Sequence, residues 1–349
     1  MRCTEMNRVI RLPLTFWLVL LGLIFATKFA FGEPYKAESG PYGTASFLLE
    51  LEDSDRERAV PIKVYLPTKA DGPFPVVLVS HGLGGNREGL SYLGNHWASH
   101  GYVCIHMQHL GSDESVWRGV PAKDVMKEMR KAAVTPQVAG NRARDVPFVL
   151  DELERMNADR SHRLHGLLDL QKVGIAGHSY GAWSAMAAGG MTVGGRLGKT
   201  FGDERVKCMI PLSPPVANER QREASYGTLN IPALFMTGTL DTSAIGNTTA
   251  EDRLIPYGMM PGVADDGPPK YMINFDGADH MTFSGETRRR LRSEVSVEDN
   301  KAFHSIILQS TTAFLDCYLL GKDSAKQWLH DGGFVKLVGD RGTVEMDAE

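Results

Sequence analysis

The stretch Lys172-Val173-Gly174-Ile175-Ala176-Gly177-His178-Ser179-Tyr180-Gly181 leaves this chain the least freedom. A short apolar run meets a Gly-x-Ser-x-Gly turn, and a helix-compatible segment, 182–188, follows. The pattern reads as a buried strand that turns sharply into a helix with Ser179 at the apex. Such a turn is strained and crowded on both flanks. Only small residues fit two positions either side of the serine, and Gly177 and Gly181 stand there. A serine presented this way is a candidate nucleophile, and it needs partners from elsewhere in the chain.

Other apolar runs frame the stretch. Segments 44–51 and 59–66 read as two strands joined by the charged turn Glu52-Asp53-Ser54-Asp55. Segments 75–80, 102–107, 206–212, 231–237 and 271–275 are short and continuous, as strands buried on both faces are. Helical patterns lie between them. One runs from about 86 to 100. Another covers 121–158, in two pieces divided near Thr135-Pro136, with an apolar stripe of Val146, Phe148, Val149, Leu150 and Leu153. A short helix is expected around 250–255 and a long one over 300–320. Strands alternating with helices imply an α/β fold: a mostly parallel central sheet with an antiparallel N-terminal edge and helices on both faces. At 349 residues and 42% hydrophobic, the chain suits a single domain over 33–349. No repeat or low-complexity run interrupts it.

The first 32 residues read differently. Arg2, Arg8 and Arg11 precede a 15-residue apolar run, 12–26, and Ala30-Phe31-Gly32 follows. That is the layout of a secretory leader, too short for the roughly 20 residues of a spanning helix. An uncleaved anchor is the competing reading. Cleavage after Gly32 removes Arg2, Arg8, Arg11, Lys28 and Glu5 and takes the net charge from −4 to −7. So acidic a protein is a poor binder of nucleic acid, and membrane contact is expected only if the leader stays. Cys104, Cys208 and Cys317 match no metal or disulfide framework and read as buried thiols, with one disulfide plus a leftover thiol as the alternative.

In parallel sheets functional groups gather at the carboxyl ends of strands. Four motifs fall there: His81-Gly82, Ser179, Asp241 and His280. The order Ser, Asp, His, each after its own strand, is that of α/β-hydrolases. Ser179 is then the nucleophile, His280 the base and acid, and Asp241 its orienter, with Asp276 the weaker alternative. Asp279 adjoins His280 and cannot easily turn onto its ring. His178 is read as a packing residue, and His106 and His109 as packing or loop residues. An oxyanion needs backbone N–H donors. Tyr180 supplies one, and the loop His81-Gly82-Leu83-Gly84-Gly85 the other, with Leu83 as candidate. A plain tight turn is the bland reading of that loop. It lacks the Lys-Ser/Thr ending of a phosphate cradle.

The segments Ser80-His81-Gly82-Leu83-Gly84-Gly85, Trp97-Ala98-Ser99-His100-Gly101-Tyr102-Val103 and Gly177-His178-Ser179-Tyr180-Gly181 resemble platelet-activating-factor acetylhydrolases and their bacterial relatives, predicted dienelactone hydrolases. They are also similar to cutinase-type polyester hydrolases. The resemblance covers about 60–290. It implies an α/β-hydrolase fold, no metal or organic cofactor, ester hydrolysis through an acyl-enzyme, and Leu83 and Tyr180 as oxyanion donors. Two departures stand out. True dienelactone hydrolases use cysteine where this chain has Ser179. The acetylhydrolases carry their acid after the strand that follows the serine, where this chain has Leu212-Ser213-Pro214-Pro215; Asp241, one strand later, follows the polyester-hydrolase pattern.

The expectation is an exported, monomeric serine esterase acting on short-chain or acetyl esters of a small-molecule, lipid or polymer substrate. A peptidase of prolyl-oligopeptidase type and an inactive hydrolase-fold binding protein are the alternatives; the former normally carries several hundred further residues. Loops 108–120, 189–204 and 242–268, with Trp117, Trp183, Met281 and Phe283, are candidates for the pocket wall.

Overall fold

The computed structural model describes residues 35–194, 198–285 and 295–348. The leader expected at 1–32 lies outside the described residues. The strands are Gly43–Asp53 (β1), Arg58–Thr68 (β2), Phe74–Ser80 (β3), Val103–Met107 (β4), Leu168–His178 (β5), Thr192–Val193 (β6), Lys199–Thr200 (β7), Val206–Leu212 (β8), Ala233–Leu240 (β9), Lys270–Asp279 (β10) and Gly342–Asp347 (β11). Among the described residues nine of them form one sheet, ordered β1-β2-β4-β3-β5-β8-β9-β10-β11, and β6 and β7 make a small hairpin. From β4 to β10 the sheet is parallel. The β1-β2 and β2-β4 pairs are antiparallel, which is the N-terminal edge expected from the sequence.

The continuous apolar runs follow from burial on both faces. In β3, Val76 and Leu78 join the core on one face, and Val77 and Val79 join the core on the other. Helices Pro136–Ala158 (α3) and Tyr180–Ala188 (α4) cover the first face, preceded by Ala122–Val134 (α2). Ser91–Ser99 (α1) and Val297–Tyr318 (α7) cover the second. The long helical region does divide at Thr135-Pro136, where proline fits a first helical turn but not a helix interior. Polar ties fix α7 to α1 and to the turn before β4: Trp97 Nε1 donates to Thr311 Oγ1 at 3.1 Å and the Tyr102 hydroxyl to Asp316 Oδ1 at 2.6 Å. Short helices Arg222–Tyr226 (α5) and Ile255–Met259 (α6) lie in the connections after β8 and β9.

The C-terminal segment adds what periodicity did not predict. Helices Asp323–His330 (α8) and Gly333–Val338 (α9) lead into β11, a second antiparallel edge beside β10. Its sequence, Gly-Thr-Val-Glu-Met-Asp, is half-exposed and carries no apolar run, as befits an edge strand. Cys104, Cys208 and Cys317 are free, the first two buried. No helix among the described residues is long and apolar enough to cross a membrane.

The strand order explains how distant residues meet. Strands β3, β5, β8, β9 and β10 are successive neighbours, each about 4.8 Å from the next. Their carboxyl ends carry Ser80-His81, Ser179, Ser213, Asp241 and His280 in a row.

Candidate active site

Strand β5 turns into α4 at Ser179, whose φ of 56° and ψ of −117° lie where non-glycine residues are rare. Such a conformation costs about 1–3 kcal/mol and persists only where the surroundings enforce it. A Cβ on Gly177 would land on the Gly181 carbonyl, and one on Gly181 would land on the Ser80 carbonyl. The absent methyl groups let α4 press against β3, which brings the loop after His81 beside the serine.

The chain brings its three candidate residues together. His280 Nε2 is 3.0 Å from Ser179 Oγ, and His280 Nδ1 is 2.8 Å from Asp241 Oδ1. Asp241 is fully buried. Burial alone would raise its pKa. The hydrogen bond and charge of His280, the charge of Arg253 and the Ser213 hydroxyl outweigh burial and hold it below the usual carboxylate range. Its second oxygen accepts from Thr237 Oγ1 at 2.9 Å. Asp276, the alternative acid, is exposed on β10 and accepts from Thr239 Oγ1 at 3.2 Å. Asp279 turns away and accepts from the backbone N–H groups of Met281 and Thr282, both at 2.9 Å.

Two partners of Asp241 escaped the sequence reading. Ser213 stands at the end of β8, where the acetylhydrolase pattern has its acid; its Oγ lies 3.0 Å from Asp241 Oδ1 and 2.7 Å from His280 Nδ1. Arg253, 2% exposed, sets Nε 2.7 Å from Asp241 Oδ1 and donates Nη1 to the carbonyls of Ser213 at 3.1 Å and Pro214 at 2.8 Å. A cation in a long Gly/Pro-rich connection gives no sequence signal of such a role.

The loop after β3 is held from behind. Gly82 carries no side chain where a Cβ would meet His178 and Ser179. The Gly82 carbonyl accepts from the Gly85 N–H at 3.0 Å and lies 2.6 Å from His81 Nδ1. In a trans peptide the following N–H points opposite to that carbonyl. The Leu83 N–H is thereby turned away from the protein interior, and Leu83, Ser179 and Tyr180 together line a cleft of about 320 Å³. Gly84, at φ 76°, donates to the Ser112 carbonyl at 2.8 Å.

Some expectations are corrected. Phe283 is no wall residue: it is fully buried in the core under α7. Trp117 grips the loop instead, donating Nε1 to the Gly84 carbonyl at 2.7 Å. Trp183 and Met281 do line clefts beside Ser179. From the connecting loops, Met191, Val193 and Ile245 join them. Nor is His178 mere packing: its Nε2 bonds the His280 carbonyl at 2.8 Å and so fixes that backbone. His109 belongs to a buried network, with Nε2 2.9 Å from Ser80 Oγ and Nδ1 2.9 Å from Asp145 Oδ2. No cluster fit for a metal ion occurs among the described residues.

The parallel sheet, the helices on both faces and the sharp turn at Ser179 between β5 and α4 decide the fold. The chain has the α/β-hydrolase fold. Known proteins agree with that. The family model for platelet-activating factor acetylhydrolase, isoform II, matches residues 51–137, which stops short of Ser179. A platelet-activating factor acetylhydrolase of Cavia porcellus is 26% identical over 301 residues, 77% of this chain and 63% of that protein. Cutinase est2 of Thermobifida alba is 25% identical over 218 residues, 62% of this chain and 56% of that protein. The chain thus spans less than two-thirds of either relative's length. The matches support an esterase family within the fold.

The buried histidines should make this fold acid-sensitive. Burial, the largest cause in each case, pushes His96, His106 and His178 down to about 3 and His109 to about 4. In the unfolded chain each returns to about 6.5. As pH falls below 6.5 the unfolded chain takes up protons that the folded one refuses, so stability present above pH 6.5 is lost towards pH 3–4. Each histidine contributes a slope of about 1.4 kcal/mol per pH unit in that window. Urea unfolding at pH 7.5 and 5.5 should show a midpoint markedly lower at 5.5. An unchanged midpoint would contradict the neutral, buried state of these rings.

Proposed function

We propose that the chain is an exported serine carboxylic-ester hydrolase that works through an acyl-enzyme on short-chain esters. The observation that carries this is the Ser179 Oγ–His280 Nε2–Nδ1–Asp241 Oδ1 relay, at 3.0 and 2.8 Å. A serine hydroxyl is a weak nucleophile until a base takes its proton. His280 receives that proton at Nε2 as Oγ attacks the ester carbon, and Asp241 holds the ring with its other proton at Nδ1. The negative oxygen that forms is received by the N–H groups of Tyr180 and Leu83. His280 then gives its proton to the departing alcohol, and a water molecule, activated by the same ring, releases the acid and regenerates Ser179.

Two clefts meet at Ser179 and Leu83. One, about 230 Å³, includes His280, Met281, Leu90 and Met129. As His280 must reach the leaving oxygen, that cleft takes the alcohol. The other, about 320 Å³, is walled by Trp183, Met191, Val193 and Tyr226 and takes the acyl chain. The kinship with an acetylhydrolase and a cutinase supports an ester rather than an amide as substrate. Export rests on the leader-like residues 1–32.

The test is turnover of p-nitrophenyl esters of increasing chain length beside a peptide p-nitroanilide. Hydrolysis of the acetate and butyrate, falling at long acyl chains, with the anilide untouched, is the expected result. Preferential cleavage of the anilide would overturn the reading in favour of a peptidase.

A further inference from the structure

Behind the loop and the helix start that carry Leu83 and Tyr180 lies Arg142, on α3, with no exposed surface. Its guanidinium spends four N–H bonds on segments that are far apart in sequence. Nη2 donates to Ser80 Oγ at 2.9 Å and to the His81 carbonyl at 2.5 Å, at the end of β3. Nη1 donates to Ser112 Oγ at 2.9 Å, and the Ser112 carbonyl in turn accepts the Gly84 N–H. Nε donates to Ser184 Oγ at 2.9 Å, and that hydroxyl donates to the Tyr180 carbonyl at 3.2 Å. The guanidinium carbon also lies 4.6 Å from the centre of the Tyr180 ring, a cation–π contact.

Each of the three serine hydroxyls accepts from Arg142 and passes its own proton on. Ser80 faces His109 Nε2, Ser112 donates to the His109 carbonyl and Ser184 to Tyr180. His109 Nδ1 bonds Asp145, which also holds Arg58 through two contacts of 2.8 and 2.9 Å. A buried network of charge-assisted hydrogen bonds such as this one is rigid and favours one arrangement. A point charge on a flexible stem could not make the same four bonds, because the planar fork fixes their directions.

We propose that Arg142 is a positioning residue that sets the spacing between the two oxyanion donors, Leu83 on the loop after β3 and Tyr180 at the start of α4. The proposal rests on the ester-hydrolase reading above. Arg142 touches no reacting atom. It acts through His81 and Ser112 on one side and through Ser184 and the Tyr180 ring on the other. Donors aimed at the oxyanion give their full effect only when held within a fraction of an ångström, so loss of the clamp should lower kcat and spare KM.

The test compares p-nitrophenyl acetate with its thiono analogue, in which sulfur replaces the carbonyl oxygen. Sulfur is larger and a poor hydrogen-bond acceptor, so thionoester turnover draws little on the oxyanion donors while still needing Ser179 and His280. Arg142→Met should lower kcat for the oxygen ester by about 30- to 100-fold, leave its KM within about twofold, and change thionoester turnover far less. Arg142→Lys should recover only part of the loss. Ser184→Ala, which removes one anchor and keeps the core filled, should shift the ratio the same way by about three- to tenfold, and it decides the matter if Arg142→Met fails to fold. Leu153→Ala, a core variant of the same helix, should lower the melting temperature without moving the ratio. Equal losses on both esters in Arg142→Met and Ser184→Ala, or no loss, would overturn the clamp. Wild-type protein that turns over neither ester would instead sink the ester-hydrolase reading itself.

Discussion

Ser179→Ala is expected to lower kcat for a short-chain ester by about 10⁴- to 10⁶-fold while the protein folds and melts as before. The loss is large because His280 Nε2, 3.0 Å from Ser179 Oγ, would have no hydroxyl left to deprotonate. Residual turnover would come from water in a site that still offers oxyanion donors and a cleft, which is why activity falls to a floor rather than to nothing. Stability is spared for a specific reason. The unusual backbone at Ser179, φ 56°, is enforced by Gly177 and Gly181, and alanine suffers the same strain there as serine. Kinetics of the purified variant with p-nitrophenyl butyrate, beside its thermal melt, check both halves. Substantial residual turnover would remove Ser179 from its role.

Asp241→Asn is expected to cost about 10³- to 10⁴-fold in kcat and to destabilise the fold as well. The kinetic loss follows from the hydrogen bond to His280 Nδ1 at 2.8 Å. A neutral amide neither stabilises the imidazolium nor enforces the tautomer with Nε2 open to Ser179. The stability loss follows from Arg253, whose buried cation keeps Nε 2.7 Å from Asp241 Oδ1. Removing one partner of a buried pair leaves the other uncompensated, at about 3–5 kcal/mol. Assays well below the lowered melting temperature separate the two effects. Asp276→Asn is the control: exposed on β10 and accepting from Thr239 Oγ1, it should change kcat by no more than about twofold. The opposite ranking would transfer the acid's role to Asp276.

The site was legible in the sequence where the physics is local. The Gly177 and Gly181 pattern reports a steric requirement within five residues, and the ends of short apolar runs locate Asp241 and His280 on neighbouring strands. The mostly parallel sheet was readable because burial on two faces gives continuous apolar runs between helical stretches, and the antiparallel N-terminal edge because a charged turn joins its two strands. What was hidden depends on tertiary placement. Ser213, Arg253 and Arg142 carry no motif, and their roles exist only because β3, β5, β8 and β9 lie side by side with α3 packed behind. His178 and His109 looked like packing because each bonds a partner outside its own segment. Trp117 and Phe283 both left the expected pocket wall, one for a loop clamp and the other for the core: an aromatic side chain reads alike in all three places. The edge strand β11 was missed because a half-exposed strand needs no apolar run.

The central claim is that Ser179 is the nucleophile, and a fluorophosphonate probe tests it most directly. Such a probe phosphonylates only a serine activated by its neighbours, with loss of fluoride, and leaves a stable adduct. Intact-mass measurement should show one adduct per chain, and peptide mapping should place it on Ser179. Adduct on another serine, such as Ser213 or Ser80, or no adduct in protein that hydrolyses esters, would contradict the account.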